Sequence, residues 1–519
     1  MIPLKIHPER QVAIVPDVRG VGNLIPHAKR IEKNGRMYLM VPAGKEELQL
    51  LRNLGFDAPT PLLHGYDWAG NLPFDAQIGT TDMLIHNPRA YILSDMGTGK
   101  TLSTLFAFDY LRRQGLVRKM LVVAPMSTLT IVWEREVFAR MSHLTCVSLH
   151  SHSAAKRREL LARDVDIYVV NHHGMDVILP ELLARKDIDV VVIDELATFR
   201  NKTTKLWKAA KAIVSGRKFV WGLTGSPIPR EPSDAWAQIK LITPDSTTPY
   251  YKQFRELTMR QVSQFKWVPK KEANEIVFSQ MRPAVRYTRS DCVDLPPTTY
   301  TGREVAMSKE QAAAFKRMKD ESYAEFKEGN VAAVNEGVKL TKLLQICCGF
   351  CYTSDGKVAR MDSAPRVSEI IDLITESQNK VIVFVPFVEG VDYLHQRLQE
   401  EGFDTAKVYG DTTKTKRDEI FNLFQHSNNI RCLVAHPQCM AHGLTLTAAD
   451  TIVWYVPPMS LEIYEQANAR ITRPGQKNNT LIVHVESTPI ERKIYNRLEA
   501  RAKVQGALLD MFREDTGQT

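Results

Sequence analysis

Twice along this chain, strand-sized apolar runs alternate with amphipathic stretches. The first passage, over about 90–225, reads RAYIL, TLSTLFAFDYLRR, KMLVVAP, DIYVVN, DVVVID and KFVWGLTG; the second, over about 366–487, includes VSEIIDLITES, KVIVFVP, VDYLHQRLQEEG, AKVYG, RDEIFNLFQ, RCLVAH, DTIVWYVP and NNTLIVHV. Short, continuous apolar runs are strands buried on both faces, and the strand–helix–strand rhythm builds a parallel sheet covered by helices. A chain that does this twice is expected to be α/β, with two tandem lobes. No run approaches the ~18 consecutive apolar residues of a membrane span, and the charged, proline-bearing start MIPLKIHPERQ predicts no export leader. Seven cysteines without a framework of spaced pairs suit a reducing compartment, and the expected location is the cytoplasm of a bacterium or of a phage-infected cell.

The remaining segments read differently. Residues 228–345 are expected to be mostly helical, with SKEQAAAFKRMKDESYAEFKEG at 308–329 at helical spacing. VAIVPDV and GRMYLMVP precede the helix candidate KEELQLLRNLG near the N-terminus. The expected division is 1–72, a small accessory α/β unit; 73–227, a nucleotide-binding lobe; 228–345, a helical insertion; 346–497, a second lobe; and 498–519, a helix bracing the two.

SDMGTGKT at 94–101 follows a strand and opens a helix, the context of a phosphate-binding loop. Gly97, Thr98 and Gly99 bring backbone amides to the phosphates, Lys100 reaches the terminal oxygens, and the Thr101 hydroxyl is placed to hold magnesium. Ser94 stands where the strict pattern has glycine. Downstream, VVVIDELATF ends a buried strand in Asp194 and Glu195. One acid coordinates magnesium, Asp194, while its neighbour Glu195 orients and deprotonates water. The cofactors expected are therefore ATP and Mg2+.

These residues resemble a superfamily 2 nucleic-acid helicase or translocase, and within it the sucrose-non-fermenting branch of DNA-dependent ATPases, over about 73–500. PFDAQ at 73–77 is similar to the upstream glutamine motif, so that Gln77 would read the adenine edge. VVAPMSTLTIVWERE at 122–136 resembles motif Ia, DELA the acidic box, and LTGSPIPR at 223–230 motif III, in which Thr224 and Ser226 would couple ATP to DNA movement. VRYTRSDCVDLPP and KLLQICCG resemble segments marking the remodeller-like branch. In the second passage VYGDTTKTKRDEIFNLFQ resembles a nucleic-acid-facing segment, AHGLTLTAADTIVWY motif V, with Gly443 toward the nucleotide and His442 departing from the family's glycine, and EQANARITRPGQ motif VI. Phosphoryl transfer spreads negative charge that an arginine from a facing lobe can stabilise. Arg470 and Arg473, three apart, are the candidates, and Arg473 the expected finger.

The resemblance implies two RecA-like lobes with ATP in the cleft and DNA across their tops. Expected DNA contacts are Ser127, Thr128 and Asn171 on the first lobe and Gly410, Thr412, Arg417 and Thr445 on the second, mostly hydroxyls and amides suited to phosphates. Lysine plus arginine number 68 against 59 acids, a net charge of +9 that favours a polyanionic partner. HAKRIEKNGR at 27–36, beside Tyr38 and Tyr66 as stackers, makes 1–72 a second candidate for DNA recognition, with simple packing on the first lobe as the other reading. The leading expectation is a monomeric, ATP-driven motor on double-stranded DNA with little sequence specificity, of phage or bacterial type. An RNA or single-strand helicase and a catalytically weak nucleic-acid-binding scaffold are the alternatives.

Overall fold

In the computed structural model the described residues are 2–515 except 3, 8–9, 19–20, 26, 127, 265, 293–294, 328–332, 354–356, 441–444 and 474. Both apolar passages become parallel sheets. The first has seven strands in the order Ala284–Val285, Arg89–Ile92, Phe219–Leu223, Ile188–Asp194, Lys119–Ala124, Ile167–Asn171 and Cys146–Ser148, each parallel to its neighbours. The second has six, in the order Thr298–Glu304, Thr480–Glu486, Ala449–Trp454, Lys380–Phe384, Cys432–Ala435 and Thr405–Val408, again all parallel. The inner strands are valine- and isoleucine-rich and buried along nearly their whole length because helices cover both faces. Parallel strands end on a common edge, so the loops after residues 92, 124, 171, 194 and 223 gather on one side of the first sheet.

Residues 228–345, expected to be mostly helical, carry strands beside their helices. They supply the edge strand of each sheet: Ala284–Val285 beside Arg89–Ile92, and Thr298–Glu304 beside Thr480–Glu486. The first is only two residues long, and the second, TTYTGRE, has mostly exposed polar side chains, so neither leaves an apolar run to read. The helices Ala235–Ile242 and Ala273–Gln280 bury Trp236, Ile239, Ile242 and Val277 in the first lobe's core.

The N-terminal residues form a four-stranded antiparallel sheet, in the order Lys5–His7, Val12–Pro16, Arg36–Pro42, Lys29–Lys33, with the helix Lys45–Asn53. Ala13, Val15, Leu39 and Val41 face inward with Leu48 and Leu51 of that helix. Tyr66 is not a surface stacker: it is buried against Trp68 and Phe106, and its hydroxyl donates to Asp109 Oδ2 at 2.9 Å. Its ring fills the first lobe's core, which leaves no face for a base.

One helix joins the lobes. Pro489–Asp515, 27 residues or about 40 Å long, buries Ile494, Tyr495 and Leu498 in the second lobe's core and Leu508, Leu509 and Phe512 in the first lobe's. Val504 O accepts from Asn274 Nδ2 at 3.0 Å, and Arg513 pairs with Asp291 at 2.7 Å. Among the described residues no helix is long and apolar enough to cross a membrane. Phe512→Ala empties a fully buried site beside Phe278 and is expected to cost about 3–5 kcal/mol in urea titration. A loss below ~1 kcal/mol would mean that this end of the helix does not hold the first lobe.

Candidate active site

The phosphate-type loop is held by sterics and by its neighbours. Gly97 and Gly99 both have left-handed backbone, φ +87° and +79°. A Cβ on Gly99 would strain this left-handed backbone and lie 2.2 Å from Gln77 Nε2, so another residue there would displace the Gln77 amide. Gln77 is fixed in turn, its Oε1 accepting from Phe74 N at 3.0 Å. Ser94, the departure from the strict pattern, is buried, and its Oγ accepts from Tyr287 N at 3.0 Å, tying the loop to the 284–287 segment. Thr98 Oγ1 donates to Asp95 O at 2.9 Å, and Lys100 Nζ donates to Ser94 O and Asp95 O at 2.8 and 2.9 Å. The helix Lys100–Arg113 starts here and turns its N-terminal amides toward the loop.

Asp194 closes the central strand and Glu195 follows in left-handed backbone, φ +53°, a conformation a non-glycine residue adopts at a cost. Three contacts hold the turn: Trp133 Nε1 donates to Asp194 Oδ2 at 3.0 Å, Glu195 N donates to Asp194 Oδ1 at 3.0 Å, and His172 Nε2 bonds Asp194 O at 2.9 Å. Burial holds His172 well below its usual range, at about 4, so its ring is a neutral donor to that carbonyl. Burial raises both carboxyl pKa values, and repulsion from Asp194 helps push Glu195 up to about 7, with Lys100 pulling the other way. Burial lowers the Lys100 ammonium, against the attraction of Glu195 and Asp194.

The second lobe completes the cleft. After the helix Leu461–Asn468 come Arg470 and Arg473, their Nε atoms donating to Gln466 O and Ala469 O at 2.9 and 3.0 Å. Burial holds Arg470 well below the usual guanidinium range and Arg473 down at about 10, each further opposed by a neighbouring arginine. A cavity of about 640 Å3 is lined by Gln77, Gly97, Gly99, Lys100, Thr101 and Glu195 from one lobe and by Arg470 and Arg473 from the other. Asp194 lies beside it, under Trp133.

A second set of contacts crosses between the lobes. Ser226 Oγ donates to Glu465 Oε2 at 3.2 Å, and Gln505 Nε2 of the long C-terminal helix reaches both, at 3.0 Å to Glu465 Oε2 and 3.3 Å to Ser226 Oγ. Ser226 N donates to Thr224 Oγ1 at 3.1 Å, so the two coupling candidates form one turn. Asp95 pairs with Arg286 at 2.7 Å and accepts from Arg289 N at 3.1 Å, while Arg289 Nη1 donates to Thr472 O at 2.7 Å. Burial pushes the Glu465 carboxyl up to about 7 against the bonds from Gln505 and Ser226.

The expected DNA contacts fare unevenly. Thr128 is buried and lies on the wall of the nucleotide-sized cavity rather than on an outer face. Asn171 is corrected: it is buried, and its Oδ1 accepts from Arg157 Nη1 at 3.2 Å, which holds the side chain inside the lobe. On the second lobe Gly410 and Thr445 are exposed and Thr412 and Arg417 half-exposed. Ser127, His442 and Gly443 lie outside the described residues. Reading the sequence missed Trp133, Asp95, Glu465 and Gln505. An acid inside the phosphate loop was a signal for Asp95, and the indole of VWERE a weak one for Trp133; Gln505 had none.

Residues 76–350 match the SNF2-related domain, just over half of the 519-residue chain, and residues 365–475 match the helicase conserved C-terminal domain. The chain belongs to the SNF2-related family. The SNF2-related match contains the loop, the acid pair and Ser226, and the C-terminal match contains Arg470 and Arg473. Similar proteins include an uncharacterized ATP-dependent helicase of Mycoplasma pneumoniae, 24% identical over 81% of this chain and 40% of that protein. An ISWI chromatin-remodeling complex ATPase of Arabidopsis thaliana is 23% identical over 81% of this chain and 41% of its own length. A putative protein of Acyrthosiphon pisum secondary endosymbiont phage 1 is 23% identical over 83% of this chain and 96% of its own. The chain thus spans about two fifths of the bacterial and plant proteins and nearly all of the phage one. A solved Sulfolobus solfataricus SWI2/SNF2 ATPase core in complex with dsDNA aligns over 88% of this chain and 97% of its own at 23% identity, with a TM-score of 0.41.

The inter-lobe contact of this SNF2-related chain generates a pH prediction. A carboxyl whose folded pKa is raised from about 4.5 to about 7 stabilises the fold fully at low pH and loses that contribution as pH climbs through 7. Glu465→Gln is expected to be more stable than the parent at pH 8, on the order of 1–3 kcal/mol, with the gap closing by pH 5. A gap independent of pH would remove the titration from Glu465.

Proposed function

We propose that the protein is an ATP-driven motor that moves along double-stranded DNA with little sequence specificity. The observation that carries this reading is the composite cleft, in which Lys100 and Glu195 of one lobe and Arg470 and Arg473 of the other line a single cavity. Such a site is complete only when the lobes stand close, so nucleotide state and lobe spacing are linked. The family supports the ATP half of the reading, and the bound duplex named for the Sulfolobus core is the reason for preferring duplex over RNA.

The roles follow from chemistry. The loop amides of Gly97, Thr98 and Gly99 bind the phosphate oxygens and Lys100 neutralises them. Gln77, beside Gly99, reads the adenine edge, and the likeness of 441–455 to motif V assigns Gly443 to nucleotide binding. Glu195, a half-buried carboxyl pushed up to about 7, accepts the proton of the attacking water. Arg473, with Arg470, faces the charge that develops on the transferred phosphoryl group. The Thr101 hydroxyl and the half-buried Asp194 carboxylate are the hard oxygen donors a magnesium ion takes. Bound there, the ion would supply charge neutralisation at the phosphates.

For DNA, Thr224 and Ser226 pass the state of the cleft to the second lobe, whose exposed Gly410 and Thr445 and half-exposed Thr412 and Arg417 take backbone phosphates. The N-terminal sheet offers a further contact. Lys5, Lys29, Lys33 and Arg36 share its outward face with the half-exposed Tyr38, and no carboxylate lies among those strand residues on that face. Phosphate contacts of this kind give affinity that falls with salt and does not read sequence.

Steady-state ATPase with duplex, single-stranded DNA and RNA tests the reading, and strong stimulation by duplex is expected. Stimulation by RNA or single strands alone would replace the duplex motor by a helicase, and none in any condition would leave a scaffold. Lys100→Ala is expected to abolish nucleotide binding. Glu195→Gln is expected to keep ATP and DNA binding while turnover falls at least about 100-fold. Arg473→Ala is expected to lose on the order of 1000-fold in kcat with ATP affinity nearly unchanged; the opposite split would reverse its role.

A further inference from the structure

The segment VRYTRSDCVDLPP at 285–297, which resembles a marker of the remodeller-like branch, carries two arginines beside the phosphate loop. Its backbone is bound to that loop along its length. Asp95 N donates to Tyr287 O and Tyr287 N to Ser94 Oγ, both at 3.0 Å, and Arg286 Nη1 donates to Asp95 Oδ1 at 2.7 Å. Arg289 N then donates to Asp95 Oδ2 at 3.1 Å, so both oxygens of the one acid inside the loop are taken up by this segment. A carboxylate held at each oxygen, once by a guanidinium, is a firm anchor.

From that anchored backbone the Arg289 side chain leaves the first lobe. Nη1 donates to Thr472 O at 2.7 Å and also to Thr472 Oγ1. Thr472 stands between Arg470 and Arg473, and Arg470 Nη2 lies 3.8 Å from Met96 Sδ of the phosphate loop. Other polar contacts that cross between the lobes, Ser226 to Glu465 and Arg200 to Glu462, end on the helix Leu461–Asn468, ahead of the two arginines. Arg289 stays out of the nucleotide cleft: it lines a separate cavity of about 690 Å3, while Arg470 and Arg473 line the nucleotide one. Its Nε is buried without a partner among the described residues, a cost that stability alone does not explain. Burial, and then the Arg289 charge, hold Arg473 down at about 10, so the two guanidinium groups stand within reach of each other's field.

We propose that Arg289 is a positioning residue for phosphoryl transfer: anchored to the phosphate loop through Asp95, it sets the turn at Thr472 so that Arg473 faces the transferred group. The proposal rests on the reading of Arg473 as the arginine finger. Because Arg289 is outside the nucleotide cleft, its removal spares ATP binding and lowers turnover, by letting the finger stand out of line in the closed complex.

The test is a double-mutant cycle on the full chain. It reads kcat and KM for ATP, with duplex DNA present, in the parent, Arg289→Ala, Arg473→Ala and the double variant, with thermal unfolding as the check on folding. Arg289→Ala is expected to lower kcat on the order of 10- to 100-fold, with KM within about twofold of the parent. In the Arg473→Ala background the same substitution is expected to cost less than about twofold, because a positioning residue has no effect once the group it aims is gone. Arg289→Lys, which keeps a charge but not the planar fork, is expected to recover part of the loss, and it takes the place of Arg289→Ala in the cycle if that variant does not fold. Equal losses in the two backgrounds overturn the proposal and leave Arg473 as the finger. A raised KM at unchanged kcat overturns it too. A parent-like kcat in Arg473→Ala overturns the finger reading and this proposal with it, and a parent that does not hydrolyse ATP overturns the motor reading as well.

Discussion

Lys100, Asp194, Glu195, Arg470 and Arg473 are five ionisable groups withdrawn from bulk water around one cleft, and the rest of the structure exists to keep them there. Each is costly to hold in that place, as the directions of their pKa values record: both acids are pushed up and the three bases down, in every case chiefly by burial. They are held by protein contacts: Lys100 by Ser94 O and Asp95 O, Asp194 by Trp133 and Glu195 N, and the arginines by Gln466 O and Ala469 O. The same desolvation that makes such charges expensive to hold makes electrostatic contacts in the cleft stronger than they would be in water.

Keeping the set together requires rigidity within each lobe and a controlled relation between them. Parallel sheets supply the first: the phosphate loop, the acid pair and Ser226 all leave the same edge of one sheet, so a single packed core fixes them all. The second comes from the helix Pro489–Asp515, whose two ends belong to different cores and whose Gln505 sits between Ser226 and Glu465. The lobes are therefore tethered apolarly at one side, while polar contacts such as Ser226 to Glu465, Arg289 to Thr472 and Arg200 to Glu462 cross between their facing surfaces.

Much of this was legible because the informative spacing is local. The loop, the acid pair and the two arginines each fit within a dozen residues, and strands buried on both faces announce themselves as apolar runs. What could not be read depends on contacts far apart in the chain. The bond from Ser226 to Glu465 spans 239 residues, and the edge strand Thr298–Glu304 pairs with residues 480–486 while carrying no apolar pattern of its own. Asn171 and Tyr66 misled for a related reason. Each is a polar or amphipathic residue that suits a surface, and each instead satisfies a buried partner, Arg157 and Asp109, that no spacing along the chain reveals.

The central claim is that one catalytic site is divided between two lobes and assembled by their approach. The most direct test is the distance across the cleft, measured with a fluorophore pair, one on the surface of each lobe, in Glu195→Gln with no nucleotide, with Mg-ATP and with Mg-ADP. The account predicts a shorter distance with Mg-ATP that relaxes with Mg-ADP. The same distance in all three states, with nucleotide bound, would contradict it.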